Sequence, residues 1–122
     1  MPYNEVYVID DDYIYSFVAF KILEKSNICK KVSIFNDGTK AINHLKSLPP
    51  NKYPSAIFLD IIMPTMNGKE FYEALKSLPA AEKITLFIHS GTMNERELQP
   101  FRDANIKIFQ KPLNMEEVKK LL

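Results

Sequence analysis

With 122 residues, 46% apolar and 25% charged, the chain is sized for one domain with a continuous core and is too apolar to remain disordered. A formal net charge of +1 offers no bulk field for nucleic acid or a membrane surface, and no apolar stretch approaches the roughly 20 residues of a membrane helix. Cys29 is the only cysteine, which excludes an internal disulfide and zinc held by cysteines; with no secretory signal at the start, a reducing cytoplasm is expected.

The chain opens on a strand-length apolar run, Glu5 to Ile9, closed by Asp10-Asp11-Asp12. Tyr13 to Lys25 then has helical period and is apolar around much of its circumference through Ile14, Tyr15, Phe17, Val18, Phe20, Ile22 and Leu23. One face packs on a sheet, and the rest is either covered by neighbouring elements or left as a docking surface. A second run, Lys31 to Phe35, leads through Asn36-Asp37-Gly38 into a helix over Gly38 to Leu48, stopped by Pro49-Pro50. Ala41, Ile42, Leu45 and Leu48 mark its inner face.

The third run, Ser55 to Leu59, ends in Asp60-Ile61-Ile62-Met63-Pro64-Thr65-Met66-Asn67-Gly68. A helix over Asn67 to Leu78 follows, with Phe71, Ala74, Leu75 and Leu78 inward and Pro79 as its stop. The fourth run, Thr85 to His89, closes on Ser90-Gly91; the segment Asn94 to Asp103 reads as a helix that Pro100 interrupts. Lys107 to Gln110 is the last run, closed by Lys111-Pro112. A helix over Asn114 to Leu122 ends the chain, with Asn114 as N-cap and Glu117 at the capping-box position.

Near-continuous apolar runs of this length suit strands covered on both faces of a parallel sheet. Five strand–helix alternations with short connections specify an open doubly wound α/β sheet, whose ligand sites lie outside the carboxyl ends of the strands. Every polar signal named above sits at such an end. If the runs are neighbours, carboxylates, a hydroxyl and an ammonium meet at one sheet edge, where they can hold a divalent cation and accept a phosphoryl group. No internal repeat, linker or low-complexity tract is present, and the length leaves almost nothing for a second domain.

Asp10-Asp11, Asp60 with Met63-Pro64 and Gly68, Ser90, and Lys111-Pro112, in this order, resemble the receiver domain of two-component response regulators. Asn36-Asp37-Gly38 with Ala41 matches the family's second strand–helix turn, so the resemblance covers essentially residues 1–122. It implies a flavodoxin-like (βα)5 fold with strand order 2-1-3-4-5. It also implies that Asp60 is the phosphoacceptor, a carboxylate nucleophile that forms an acyl phosphate.

Mg2+ is the implied cofactor, because it takes a few carboxylates, keeps several waters and bridges to phosphate. By the family pattern Asp11, Asp60 and the backbone carbonyl of Ile62 ligate it directly, with Asp10 acting through water. Lys111 then pairs with Asp60 before transfer and with a phosphoryl oxygen afterwards, and its bond to Pro112 is commonly cis in the family. Ser90 donates its hydroxyl to the phosphoryl group, and Gly91, often alanine in the family, leaves space and backbone access there. Asp12 reads as a solvated residue opening the first helix, and His44 and His89 as structural.

Three positions depart from the family pattern. Ile108 stands at the switch position, usually aromatic, and Phe109 one residue later is directed to the opposite face. Pro100 falls in the fourth helix, part of the usual output face. Ile62, two residues beyond the phosphoacceptor, is apolar where polar side chains help to position attacking water, which points to a long-lived phosphorylated form.

The implied function is that of a regulator that takes its phosphoryl group from a histidine kinase or histidine phosphotransfer protein. It then signals to a protein target, with docking expected near the first helix and the loops above the site. It is no enzyme beyond catalysing its own phosphorylation and dephosphorylation, and no DNA-reading groove or helix is apparent. Two alternatives stand beside it. One is a pseudo-receiver that binds partners without phosphorylation. The other is an aspartyl phosphohydrolase, which would want an acid–base aspartate at the place of Ile62 and a substrate cap.

Overall fold

The computed structural model describes residues 2–91 and 94–122. Five parallel strands form one sheet: β1 (Tyr3–Ile9), β2 (Cys29–Phe35), β3 (Ala56–Leu59), β4 (Thr85–Ser90) and β5 (Lys107–Gln110), in the order β2-β1-β3-β4-β5. Five helices alternate with them: α1 (Tyr13–Ser26), α2 (Gly38–Lys46), α3 (Gly68–Lys76), α4 (Glu95–Asp103) and α5 (Met115–Lys119). This is the fold and strand order implied by the resemblance, and strand order reverses between β1 and β3, which places the switch-point crevice above Ile9 and Leu59.

Alternation along the strands divides the interior into two layers. Tyr7, Ile9, Ile57, Leu59 and Ile88 face one way, against Ala41, Leu45, Phe71, Leu75, Leu98 and Phe101 of α2, α3 and α4. Val6, Val8, Phe58, Phe87 and Phe109 face the other way, against Tyr15, Ala19 and Leu23 of α1 and Val118 of α5. The central strand β3 is buried at every position, as its uninterrupted apolar run requires.

Several element boundaries differ from the sequence reading, each for a local reason. β1 and β2 each begin two residues earlier than expected, because Tyr3 pairs with Cys29 at the far end of the ladder. α2 and α3 stop at Lys46 and Lys76 rather than at Leu48 and Leu78. Those leucines precede Pro49 and Pro79, and a residue before proline is pushed out of the helical region. Asn67 lies outside α3 as its N-cap: its side chain accepts from the Glu70 N–H while the Glu70 carboxylate accepts from the Asn67 N–H, a reciprocal capping box. Asn114 caps α5 as expected, but the helix closes at Lys119, where the Lys120 N–H turns back onto Glu116, Glu117 and Val118.

Pro100 does not interrupt α4. The helix runs through it to Asp103. Proline removes a single N–H donor, and three features hold the turn around it: the Asn94 side chain capping Arg96 N–H, a two-pronged Arg102–Glu95 pair at 2.8 and 3.0 Å, and burial of Leu98 and Phe101.

Candidate functional site

Three site residues are the first residues beyond their strands, and each is tied by its backbone to the strand next door. Asp10 N–H donates to Phe35 at the end of β2 (3.1 Å), Asp60 N–H to Ile9 at the end of β1 (2.9 Å), and Lys111 N–H to Ser90 at the end of β4 (2.8 Å). The parallel ladder thus continues one step past the regular strands and fixes where each side chain starts.

Asp10 and Asp60 are 1% and 5% exposed, whereas Asp11 faces solvent at the mouth. One carboxylate oxygen from each of Asp10, Asp11 and Asp60 lies within 4.8 Å of the other two. Lys111 enters from β5: its Nζ lies 2.7 Å from Asp10 Oδ2 and 3.4 Å from Asp60 Oδ2. Ser90 is buried at the end of β4, opposite Gln110, and Gly91 forms part of the rim. An open pocket of about 510 Å³ above them is bounded by Asp11, Asp12, Asp60, Ile62, Gly91 and Lys111.

Burial raises the Asp60 carboxyl to about 6, and the Asp10 charge adds to this, while Lys111 and the Ile62 N–H act against it. For Lys111, burial works against the ammonium, but the carboxylates of Asp10 and Asp60 outweigh it and raise its pKa. His89, fully buried beneath the site, has its Nε2 3.7 Å from Asp10 Oδ2 and 3.5 Å from the Ile9 carbonyl. Burial and the nearby Lys111 ammonium lower it to about 3, so the imidazole is neutral.

Three hard carboxylate oxygens converging on one point, two of them buried, suit a hard divalent cation that keeps part of its water shell. Burial first, and the Asp10 charge second, disfavour the Asp60 anion, and a cation bound beside it would offset both.

A family model described as the response regulator receiver domain matches residues 6–122. The chain belongs to this family. A response regulator receiver protein from Dyadobacter fermentans is 32% identical in its crystal structure, with a TM-score of 0.84 over 97% of this chain and 94% of that one. A two component response regulator from Cytophaga hutchinsonii is 25% identical, with a TM-score of 0.88 over 99% and 95% of the two chains. Stress response regulator protein 1 of Meyerozyma guilliermondii is 28% identical over 108 residues, 88% of this chain and 48% of that protein, so the chain spans less than half of this relative.

In this receiver the sequence-selected residues Asp10, Asp11, Asp60 and Lys111 come together and Gly91 lines the pocket beside them, while Ser90 is buried at the end of β4, where its carbonyl accepts the Lys111 N–H. Asp12 stays outside the cluster as the α1 N-cap, accepting from the Tyr15 N–H at 3.0 Å. The Lys111–Pro112 bond is cis. A Cβ on Gly91 would meet only Lys111 Cδ, at 3.9 Å, so alanine fits there and glycine is not required sterically. At Gly68 the reverse holds, because a Cβ would lie 2.6 to 2.8 Å from Ile61, and this close approach seals the loop that starts at Asp60.

Ile62 is 55% exposed with its side chain directed away from the core. Ile108 is half-buried against the layer of α2 to α4, whereas Phe109 is buried on the opposite face against Phe58 and Phe87. No helix among the described residues is long and apolar enough to cross a membrane. Sequence reasoning did not place Tyr15 and His89 beside the site. Their helical and strand periodicity marks them only as inward-facing, and a buried histidine at the last inward position before Ser90 was the available signal.

Proposed function

We propose that this receiver accepts a phosphoryl group on Asp60 from a phosphohistidine of a histidine kinase or phosphotransfer protein, and signals through altered contact with a protein target. The observation that carries this reading is the convergence of Asp10, Asp11, Asp60 and Lys111 at one open pocket. In the transfer, an Asp60 carboxylate oxygen attacks phosphorus. The O–P bond forms as the partner's N–P bond breaks, and the electron pair returns to the imidazole nitrogen, which takes a proton from solvent.

Asp10, Asp11 and Asp60, with the Ile62 carbonyl from the same loop, would hold Mg2+, which neutralises charge on the transferring group. Lys111 is close enough to both buried carboxylates to exchange Asp60 for a phosphoryl oxygen. On this reading the Ser90 hydroxyl and the Gly91 backbone would serve the remaining phosphoryl oxygens, which the burial of Ser90 at the end of β4 and the place of Gly91 on the pocket rim support. Ile62 offers no acid–base group, which speaks for a stoichiometric acceptor over a turning-over phosphohydrolase.

The partner surface of this reading is the exposed side of α1. Tyr13, Ile14, Phe17 and Val18 are 85%, 75%, 53% and 38% exposed, an apolar strip beginning just after Asp12 at the pocket rim. A helical phosphodonor lying along it would bring its histidine over Asp60 in the cytoplasm. The test is incubation with acetyl phosphate and Mg2+ followed by intact mass. The expected result is a gain of one phosphoryl group that is lost in Asp60→Ala; no gain in the native protein makes it a pseudo-receiver.

A further inference from the structure

The Lys111 ammonium is approached from a third side by a group that the acceptor chemistry does not itself require. Its Nζ lies 4.3 Å from the centroid of the Tyr15 ring, within the range in which an aromatic face attracts a cation. An ammonium has three donors in a compact head. Here one side faces Asp10 at 2.7 Å, one faces Asp60 at 3.4 Å, and the ring covers a third.

The ring is itself held fixed. Tyr15 is 9% exposed on the first turn of α1, whose N-cap Asp12 accepts the Tyr15 N–H. The edge of His89 meets the ring at a centroid distance of 5.1 Å and 64°, and His89 lies in turn 6.3 Å from Phe58. Helix α1, strand β4 and strand β3 therefore all contribute to where this ring sits. The Lys111 side chain keeps 18% of its surface exposed, so without a third contact its flexible stem can swing into the open pocket.

We propose that Tyr15 is a positioning residue for Lys111, its ring face holding the ammonium between Asp10 and Asp60. The contact matters most once a metal ion engages Asp10, because the ring is then the uncharged neighbour that keeps the ammonium on the Asp60 side. The inference rests on the phosphoacceptor reading for its consequence, though not for its geometry.

The geometry is tested by NMR of the intact protein without any phosphodonor, with the Lys111 Cε protons assigned through Lys111→Arg. They are expected upfield of ordinary lysine positions in the native protein and in Tyr15→Phe, and at ordinary positions in Tyr15→Leu. The consequence is tested by phosphoryl uptake from acetyl phosphate at saturating Mg2+. Tyr15→Phe keeps at least half of the native rate, and Tyr15→Leu is slower by about 2- to 30-fold, the range of such cation–π contacts. In a Lys111→Ala background the Tyr15→Leu change adds nothing further, which a merely structural tyrosine would not satisfy.

Ordinary Cε proton positions in the native protein overturn the inference, and this readout decides it even if Tyr15→Leu fails to fold. Equal rates in Tyr15→Leu and the native protein, or a Tyr15→Phe as slow as Tyr15→Leu, also overturn it. A native protein that takes up no phosphoryl group sinks the acceptor reading instead and leaves the ring-shifted protons to decide this one.

Discussion

The Lys111 ammonium stands 2.7 Å from the Asp10 carboxylate, nearer than the 3.4 Å that separates it from Asp60. A cation bound at the three carboxylates would therefore share Asp10 with the lysine, and their charges would repel. In Lys111→Ala this repulsion is gone, and Mg2+ is expected to bind about 5-fold more tightly, a partly screened term of about 1 kcal/mol. Phosphoryl uptake is expected to slow by more than about tenfold, since the charge that steadies the transferring group is lost. Calorimetric titration with Mg2+ and acetyl phosphate kinetics check the pair. Weaker Mg2+ binding in the variant contradicts the account.

Asp60 and His89 give opposite pH dependences in the metal-free protein. Asp60, raised from 3.8 to about 6, holds its proton more tightly when folded, so its contribution is present below about pH 4 and is lost as pH rises through about 6. His89, lowered from 6.5 to about 3, stays neutral when folded, so its contribution is present above about pH 6.5 and is lost as pH falls towards 3. Between about pH 4 and 6 the two slopes, each about 1.4 kcal/mol per pH unit at most, largely cancel. Asp60→Asn removes one of them, and its stability is expected to fall more steeply than that of the native protein as pH drops from about 6 to 4. Urea denaturation without metal at several pH values measures this; parallel curves for the two proteins refute it.

Gly68 is a steric requirement of the loop below the pocket. The Cβ of Gly68→Ala would fall 2.6 to 2.8 Å from Ile61, including its backbone Cα. Relief requires displacement of the segment that follows Asp60, at a cost of about 1–3 kcal/mol. Gly91→Ala, with only Lys111 Cδ at 3.9 Å, is expected to lie within about 0.5 kcal/mol of the native protein. Urea midpoints of the two variants decide the matter, and a Gly68→Ala as stable as Gly91→Ala contradicts the argument.

Ile62, with an apolar, 55% exposed side chain, is one of the residues that bound the pocket. If Asp60 carries an acyl phosphate as proposed, Ile62 can neither accept from nor donate to a water approaching it. Ile62→Asn, which can do both, is expected to shorten the phosphoryl half-life several-fold, on the order of 1 kcal/mol in the barrier. The decay of the phosphorylated mass over time measures it, and an unchanged half-life removes the assigned role of Ile62.

The parallel sheet was readable because its strands are short runs rich in β-branched and aromatic residues, the central one continuously apolar, and four of the five close on a polar site residue. Asp10, Asp60, Ser90 and Lys111 therefore marked strand ends and site residues at once. Ile108 and Phe109 were separable for the same reason, since a period of two sends neighbours to opposite faces. Helix ends were less readable, as capping is settled by which side chain reaches a free N–H. Asn67 looked like the first residue of α3 but reaches Glu70 from outside it. Pro100 looked like a break because the loss of one hydrogen bond is visible in sequence, while the Glu95–Arg102 clamp and the burial of Phe101 are not. Tyr15 and His89 were hidden most fully, because being inward-facing says nothing about whether the neighbour is a leucine or an ammonium.

The backbone bonds from Asp10 to Phe35, Asp60 to Ile9 and Lys111 to Ser90 tether the pocket's side chains to strand ends, so they open only when the sheet itself frays. Groups tethered in this way need no folding or refolding to meet a ligand at the rim, and little entropy is lost there on binding. These three amide protons should therefore exchange with solvent on the timescale of strand fraying rather than on that of the exposed loops around the pocket.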